Sequence, residues 1–159
     1  MEGIVPPMTQ YGSGFERASV RQFTVFLENR VGKMAFLLRK FEEAGLRINA
    51  FSVEESTDIS LMRLIASDPD VARTCLRSNG FSFSETDILA VEIPRTTSMP
   101  LINVASALLS AEINIHYAYP LLRAQSEPAI ALYVDDLTLA QRILIRKGFR
   151  ILGEADLRK

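Results

Sequence analysis

The feature that most restricts this chain is that it carries one pattern twice. Asp68, Val71, Ala72, Leu76, Gly80 and Phe81 find counterparts 68 residues later in Asp136, Leu139, Ala140, Leu144, Gly148 and Phe149. Earlier in each half the offset is 67: Met34, Leu37, Leu38 and Phe41 match Leu101, Val104, Ala105 and Leu108, and Leu46-Arg47-Ile48 matches Ile113-Asn114-Ile115. One residue inserted in the second hairpin accounts for the change. Self-similarity at a fixed period marks a repeated structural unit. It divides the chain into two repeats, residues 20–85 and 86–159. They stand behind an extended leader, residues 1–19, which holds prolines and glycines and no sustained apolar period.

Within the first repeat, Phe23, Val25 and Leu27 alternate with Gln22, Thr24, Phe26 and Glu28, a strand pattern closed by Asn29-Arg30-Val31-Gly32. Met34, Leu37, Leu38 and Phe41 then follow the i, i+3, i+4, i+7 spacing of one helix face, with Gly45 as the stop. Leu46, Ile48 and Ala50 make a second strand, residues 54–59 a polar turn, and Leu61 to Ala66 a third strand. Asp68-Pro69-Asp70 starts a second helix with Val71, Ala72, Cys75 and Leu76 on its apolar face; Gly80 ends it and Phe81 to Phe83 closes the unit. A strand at Ile88 to Ile93 opens the second repeat. The order βαββαβ with right-handed crossovers predicts an α+β, ferredoxin-like fold: a four-stranded antiparallel sheet with both helices on one face. A unit of about 65 residues buries only about 60% of its unfolded surface. The bare edge or face of each sheet is therefore expected to be covered by the other repeat, the two paired side by side.

Composition excludes several classes of function. Eighteen Lys plus Arg against 19 Asp plus Glu leave a formal charge of −1, with no basic excess to hold nucleic acid or an acidic membrane. The third strand, Leu61 to Ala66, has no aromatic residue on which to stack an RNA base. No run of about 18 apolar residues is present and the first residues lack a secretion signal, so the chain is expected to be cytoplasmic and off the membrane. Cys75, the sole cysteine, falls on an apolar helix stripe and is expected to be a small buried hydrophobe. His116, the sole histidine, cannot by itself build a metal site. The acidic pairs Glu54-Glu55 and Asp135-Asp136 fall in predicted turns and are expected to be solvated. With no P-loop, no Gly-x-Gly-x-x-Gly after a strand and no nucleophile elbow, the expectation is a protein that is not an enzyme and takes no cofactor. Tyr117, Tyr119 and Tyr133 lie on adjacent predicted strands and should pack together, a subunit contact being one way to cover them.

Asn29-Arg30-Val31-Gly32-Lys33-Met34, followed by Ala44-Gly45-Leu46-Arg47-Ile48, resembles the ACT domain pattern, whose usual form is Asn-Arg-Pro-Gly-x-Leu and then Ala-Gly-Ile-Asn-Ile. Ala111-Glu112-Ile113-Asn114-Ile115 repeats the latter half. The chain is similar to stand-alone tandem ACT proteins and to the small regulatory subunit of acetolactate synthase. That resemblance implies a homodimeric regulatory protein that senses a small amino acid between ACT repeats. A second expectation, ranked behind it, is a regulatory subunit that holds a biosynthetic enzyme such as acetolactate synthase by protein contact. Carried over position by position, the ligand site comprises Asn29, Val31, Gly32, Lys33 and Met34, with Asn114 from the neighbouring repeat.

The residues of this loop support such a site on physical grounds as well. The first N–H groups of a helix have no internal partner and carry the positive end of its dipole, so a carboxylate fits there once a glycine clears the approach. Gly32 precedes the helix, and Lys33 opens it without an acidic competitor. Asn29 can accept from an ammonium or donate to a carboxylate. A plain helix-entry turn, with Gly32 for backbone freedom and Asn29 as an Asx cap, accounts for the same residues and stays open. His116, two residues past Asn114, is expected on the same strand face, opposite Ile113, Ile115 and Tyr117, where it meets either a ligand or solvent. The loop Arg95 to Pro100 lacks both Asn and Gly; Ser98 is expected to cap its helix, and Arg47 stands where the completing Asn would be. One competent site per chain is therefore expected.

Overall fold

The computed structural model describes residues 19–28, 30–122 and 127–158. Asn29 and all of the leader except Ser19 lie outside the described residues. The elements run β1 (Val20–Glu28), α1 (Lys33–Glu43), β2 (Ile48–Glu55), β3 (Ile59–Ala66), α2 (Pro69–Ser78), β4 (Ser82–Glu92), α3 (Pro100–Ser110), β5 (Ile115–Pro120), β6 (Ala129–Val134), α4 (Leu137–Arg146), β7 (Ile151–Leu152) and α5 (Glu154–Leu157). Asp68 and Asp136 cap α2 and α4: Asp68 accepts from the Asp70 and Val71 N–H groups, and Asp136 from that of Leu139. Among the described residues no helix is long and apolar enough to cross a membrane.

All strand pairs are antiparallel, in the order β2-β3-β1-β4-β6-β5, with β7 also on β4. The strands expected separately at Phe81–Phe83 and Ile88–Ile93 are one strand. Its first part pairs with β1, from Phe26↔Ser82 to Val20↔Ile88. Its last part pairs with β6, from Leu89↔Leu132 to Glu92↔Ala129. Ser84-Glu85-Thr86-Asp87 contains neither Gly nor Pro to break a strand. Arg21 and Arg73 hold its acids, at 2.9 Å from Arg21 Nε to Asp87 and 2.6 Å from Arg73 Nη2 to Glu85. The expected division between residues 85 and 86 thus falls inside β4.

Side-chain alternation along the strands sorts the core into three layers. Phe23, Val25 and Leu27 of β1 join Leu37 and Phe41 of α1 and Ala72 and Leu76 of α2. Leu89 and Val91 of β4 join Val104 and Leu108 of α3 and Ala140 and Leu144 of α4. The opposite sheet faces pack on one another through Val20, Ala50, Ile65, Ile88, Ala90, Tyr119, Leu121 and Ala131. The far edges meet as well: Ala50 bridges Leu121, and the Leu122 N–H donates to the Asn49 carbonyl at 2.7 Å. The repeats therefore share a strand and also cover each other's helix-free face.

The backbone repeats more faithfully than the side chains do. Gly32 (φ 90°) and Gly45 (φ 72°) take left-handed conformations before and after α1. Their counterparts around α3, 67 residues on, are Met99 (φ 51°) and Glu112 (φ 57°). A side chain in that region costs roughly 1–2 kcal/mol relative to glycine.

Candidate functional site

The loop between β1 and α1 is built by its hydrogen bonds. The Arg30 N–H donates to the Glu28 carbonyl at 2.6 Å and the Lys33 N–H to the Arg30 carbonyl at 3.3 Å, which turns the chain back over the sheet. Gly32 occupies the N-cap position, and its carbonyl accepts the first helical bond from the Phe36 N–H at 2.9 Å. Among the described residues no side chain caps α1, and its first turn holds no acid to compete for the positive end of the dipole. Val31 is fully exposed, Met34 is 41% exposed, and Lys33 is partly covered. Arg30 pairs with Glu28 at 3.0 Å beside the loop. A Cβ on Gly32 would meet nothing within 4 Å, so the residue is needed for its φ and not for space.

The second loop departs from expectation. Ser98 does not cap α3: the N-cap is Met99, no side-chain cap is made, and the Ser98 carbonyl accepts from the Asn103 side-chain amide at 3.3 Å. Pro100 at the first helical position, with its fixed φ, takes one N–H out of the helix start, which places the cap one residue later than the serine.

Asn114 and His116 are occupied within the second repeat. The Asn114 backbone N–H donates to Asp135 Oδ1 at 3.0 Å and its side-chain amide to Oδ2 at 3.2 Å. With Asp136 capping α4, neither acid of that pair is merely solvated. Nor is Glu54, which accepts from Arg63 at 2.9 Å. A bulge between Ile115 and Tyr117 breaks the alternation assumed for β5 and brings the His116 ring to 5.3 Å from that of Tyr133.

The polar centre of the molecule was not singled out from the sequence. Gln22, on β1, is fully buried against the second repeat. Its Oε1 accepts from the Tyr119 hydroxyl at 2.6 Å, and its Nε2 donates to the Tyr117 hydroxyl at 2.6 Å and to Thr24 at 3.4 Å. Tyr117 stacks on Tyr133, with ring centroids 5.1 Å apart, and carries the Arg63 guanidinium over its ring, 4.1 Å from the centre. Burial pushes the Tyr119 phenol well above its ordinary pKa, so it remains a donor. The tyrosines pack as expected, but the surface they cover is the chain's own first repeat. The available sequence signal was that Val20, Gln22, Thr24 and Phe26 carry no charge, although alternation assigned Gln22 and Thr24 to a polar face.

Cys75 is buried beside the Lys40 carbonyl, and burial raises its thiol pKa, as suits a small core hydrophobe.

The family described as an ACT domain pair matches residues 18–159. Among solved structures the chain is similar to protein BT0572 from Bacteroides thetaiotaomicron, at 25% identity and a TM-score of 0.80, over 89% of this chain and 97% of that one. It is similar in fold to the regulatory subunit of aspartate kinase from Thermus thermophilus, in its ligand-free form, at 15% identity and a TM-score of 0.56, over 81% and 92% of the two chains. No curated protein matches.

Proposed function

Because the chain belongs to the family of ACT domain pairs, we propose that it is a regulatory, non-catalytic protein that binds a small amino acid by its carboxylate at the amino terminus of α1. The observation that carries this reading is the start of α1: Gly32 in the left-handed conformation, no side-chain cap among the described residues, no acid in the first turn, and Val31 and Met34 exposed on either side. Lys33 adds a positive charge, and exposed apolar side chains beside an anion seat suit an apolar or short side chain. Asn29 is assigned to the ligand ammonium. Asn114 and His116 are the second repeat's assigned contribution, and Asn114 must exchange Asp135 for the ligand to make it.

Titration calorimetry of the full chain against the twenty amino acids tests the reading. At least one should bind, and Gly32→Asp, which places a competing carboxylate at the helix end, should abolish its binding. Asn114→Ala should weaken binding if the amide leaves Asp135; unchanged affinity assigns Asn114 to the Asp135 turn alone. Silence across all twenty removes the ligand reading and leaves the fold untouched.

A further inference from the structure

Between α3 and the end of α4 lies a cavity of about 410 Å3, within the roughly 300–1,000 Å3 of small-molecule sites. Its walls include Thr97, Asn103, Ser106, Ser110, Lys147 and Phe149. The first repeat fills the equivalent place differently. There Phe36, the counterpart of Asn103, lies against Phe81, the counterpart of Phe149, with ring centroids 5.9 Å apart. Lys40 sits over the Phe36 ring, 5.5 Å from its centre, and pairs with Glu43 at 2.8 Å. In the second repeat the Phe36, Lys40 and Glu43 positions are Asn103, Ala107 and Ser110. Phe149 thereby loses its ring partner, and the ion pair is gone.

The walls are unbalanced in charge and in hydrogen bonding. No acid lines the cavity, and among the described residues Lys147 makes no ion pair. The last turn of α4 has already used its acceptors: the Ile143, Leu144 and Ile145 carbonyls take the Lys147, Phe149 and Gly148 N–H groups at 2.9–3.0 Å. Ser110 gives its hydroxyl hydrogen to the Ser106 carbonyl at 2.7 Å. What the walls still offer is mainly donors: the Lys147 ammonium, the Thr97 and Ser106 hydroxyls, and the second hydrogen of the Asn103 amide, whose first goes to Ser98. We infer that this cavity binds a small organic anion, with its carboxylate or phosphate on Lys147 and the neighbouring donors and its flat carbon part on Phe149. An oxyanion satisfies an unpaired ammonium by charge-assisted hydrogen bonds, and a flat group on Phe149 replaces the ring that Phe36 supplies in the first repeat. The site lies in the other repeat from the amino terminus of α1 and is measured independently of any amino acid bound there.

Amide NMR of the full chain, titrated with phenyl phosphate, benzoate, inorganic phosphate and phenol, tests it. Phenyl phosphate or benzoate should shift the signals of Asn103, Ser106, Lys147, Gly148 and Phe149 saturably, and the tighter of the two identifies the head group. Inorganic phosphate and phenol, each with half of the recognised chemistry, should bind more weakly. Lys147→Ala should weaken the tighter probe roughly tenfold. Asn103→Phe, which refills the place as in the first repeat, should abolish its binding with the melting temperature held or raised. Should Asn103→Phe fail to fold, Lys147→Ala, a change at an exposed residue, carries the test alone. Absence of saturable shifts with every probe overturns the inference, as does an affinity unchanged in either folded variant. Phenol binding as tightly as phenyl phosphate overturns it too, since the charge would then play no part. Shifts at residues 33–36 without shifts at 147–149 overturn it as well and assign the anion to the start of α1.

Discussion

The buried amide of Gln22 gives the most decisive test of how the repeats hold together, because its partners come from the other half of the chain. Changing Tyr119 to Phe leaves the Gln22 Oε1 empty in a residue with no exposed surface. Leaving a buried polar atom unpaired costs about 1–3 kcal/mol. Changing Gln22 to Leu leaves the Tyr119 hydroxyl, on a residue only 5% exposed, without its acceptor at a similar cost. Each single change is thus expected to destabilise the protein by about 2 kcal/mol. The double variant removes both groups together and leaves neither orphaned. It should therefore cost only what Tyr117 loses, about 1 kcal/mol, a coupling energy of about 3 kcal/mol. In urea, with a slope of about 2 kcal/mol per molar, each single variant should lower the midpoint by about 1 M and the double variant by about 0.5 M. The residual cost in the double variant comes from Tyr117, which also loses the Gln22 donor but is more exposed. Additive singles, with the double midpoint about 2 M lower, would refute the account, since they would mean that the amide and hydroxyl do not share a desolvated bond.

The remaining predictions concern the backbone and the charges. Glu112→Gly should raise stability by about 0.5–1 kcal/mol, the relief of a left-handed side chain being offset in part by glycine's freer unfolded state, while Gly45→Ala should lower it by about 1–2 kcal/mol. Calorimetric melting that gave both changes the same sign would count against the equivalence of the two turns. Arg73 grips Glu85 through Nε and Nη2 at 2.6–3.0 Å and holds its carboxyl below the ordinary value of 4.5. A depressed folded pKa means that the stabilisation is present above the unfolded value and is lost as pH falls through the folded one. Glu85→Gln should therefore cost about 1–2 kcal/mol near neutral pH and progressively less in acid, read from urea midpoints; a cost independent of pH would show that the charge pair is not its source.

Much of the architecture was legible because the signals were local. The offset of 67 and 68 residues predicted the duplication, and Asp68-Pro69-Asp70 and Gly80 marked the start and end of α2, whereas Asp136, read as a solvated turn acid, caps α4. The rest required the other repeat. Gln22 sits at the polar step of an alternating strand and is buried only because residues 95 and 97 positions away fold over it. The continuity of β4 hides behind Ser84-Glu85-Thr86-Asp87, which has the polarity of a turn; its strand state depends on pairing with β1 and on the arginines that hold its acids. His116 was displaced from its assigned face by one bulge, which no periodicity announces. Of the proposed ligand loop, the glycine conformation and the acid-free first turn follow from residue type, whereas the engagement of Asn114 by Asp135 joins two loops 21 residues apart.

A chain that builds the same backbone twice separates what the fold demands from what it leaves free. Both repeats keep the left-handed residues around the helix, but only the first fills them with glycine, and only the first keeps an amino-terminal loop matching the ligand pattern. Both helices expose apolar residues, Met34 and Leu38 on α1 and Leu101 and Leu109 on α3, but only α3 carries no charge. Since the scaffold tolerates both versions, these differences answer to something other than folding. The loop is joined to the second repeat by short steps: it follows β1, β1 carries Gln22, and Gln22 is bonded to Tyr117 and Tyr119 on β5. A displacement of β1 that breaks the Gln22 bonds must orphan buried groups on β5, so the seam resists gradual sliding of one repeat on the other.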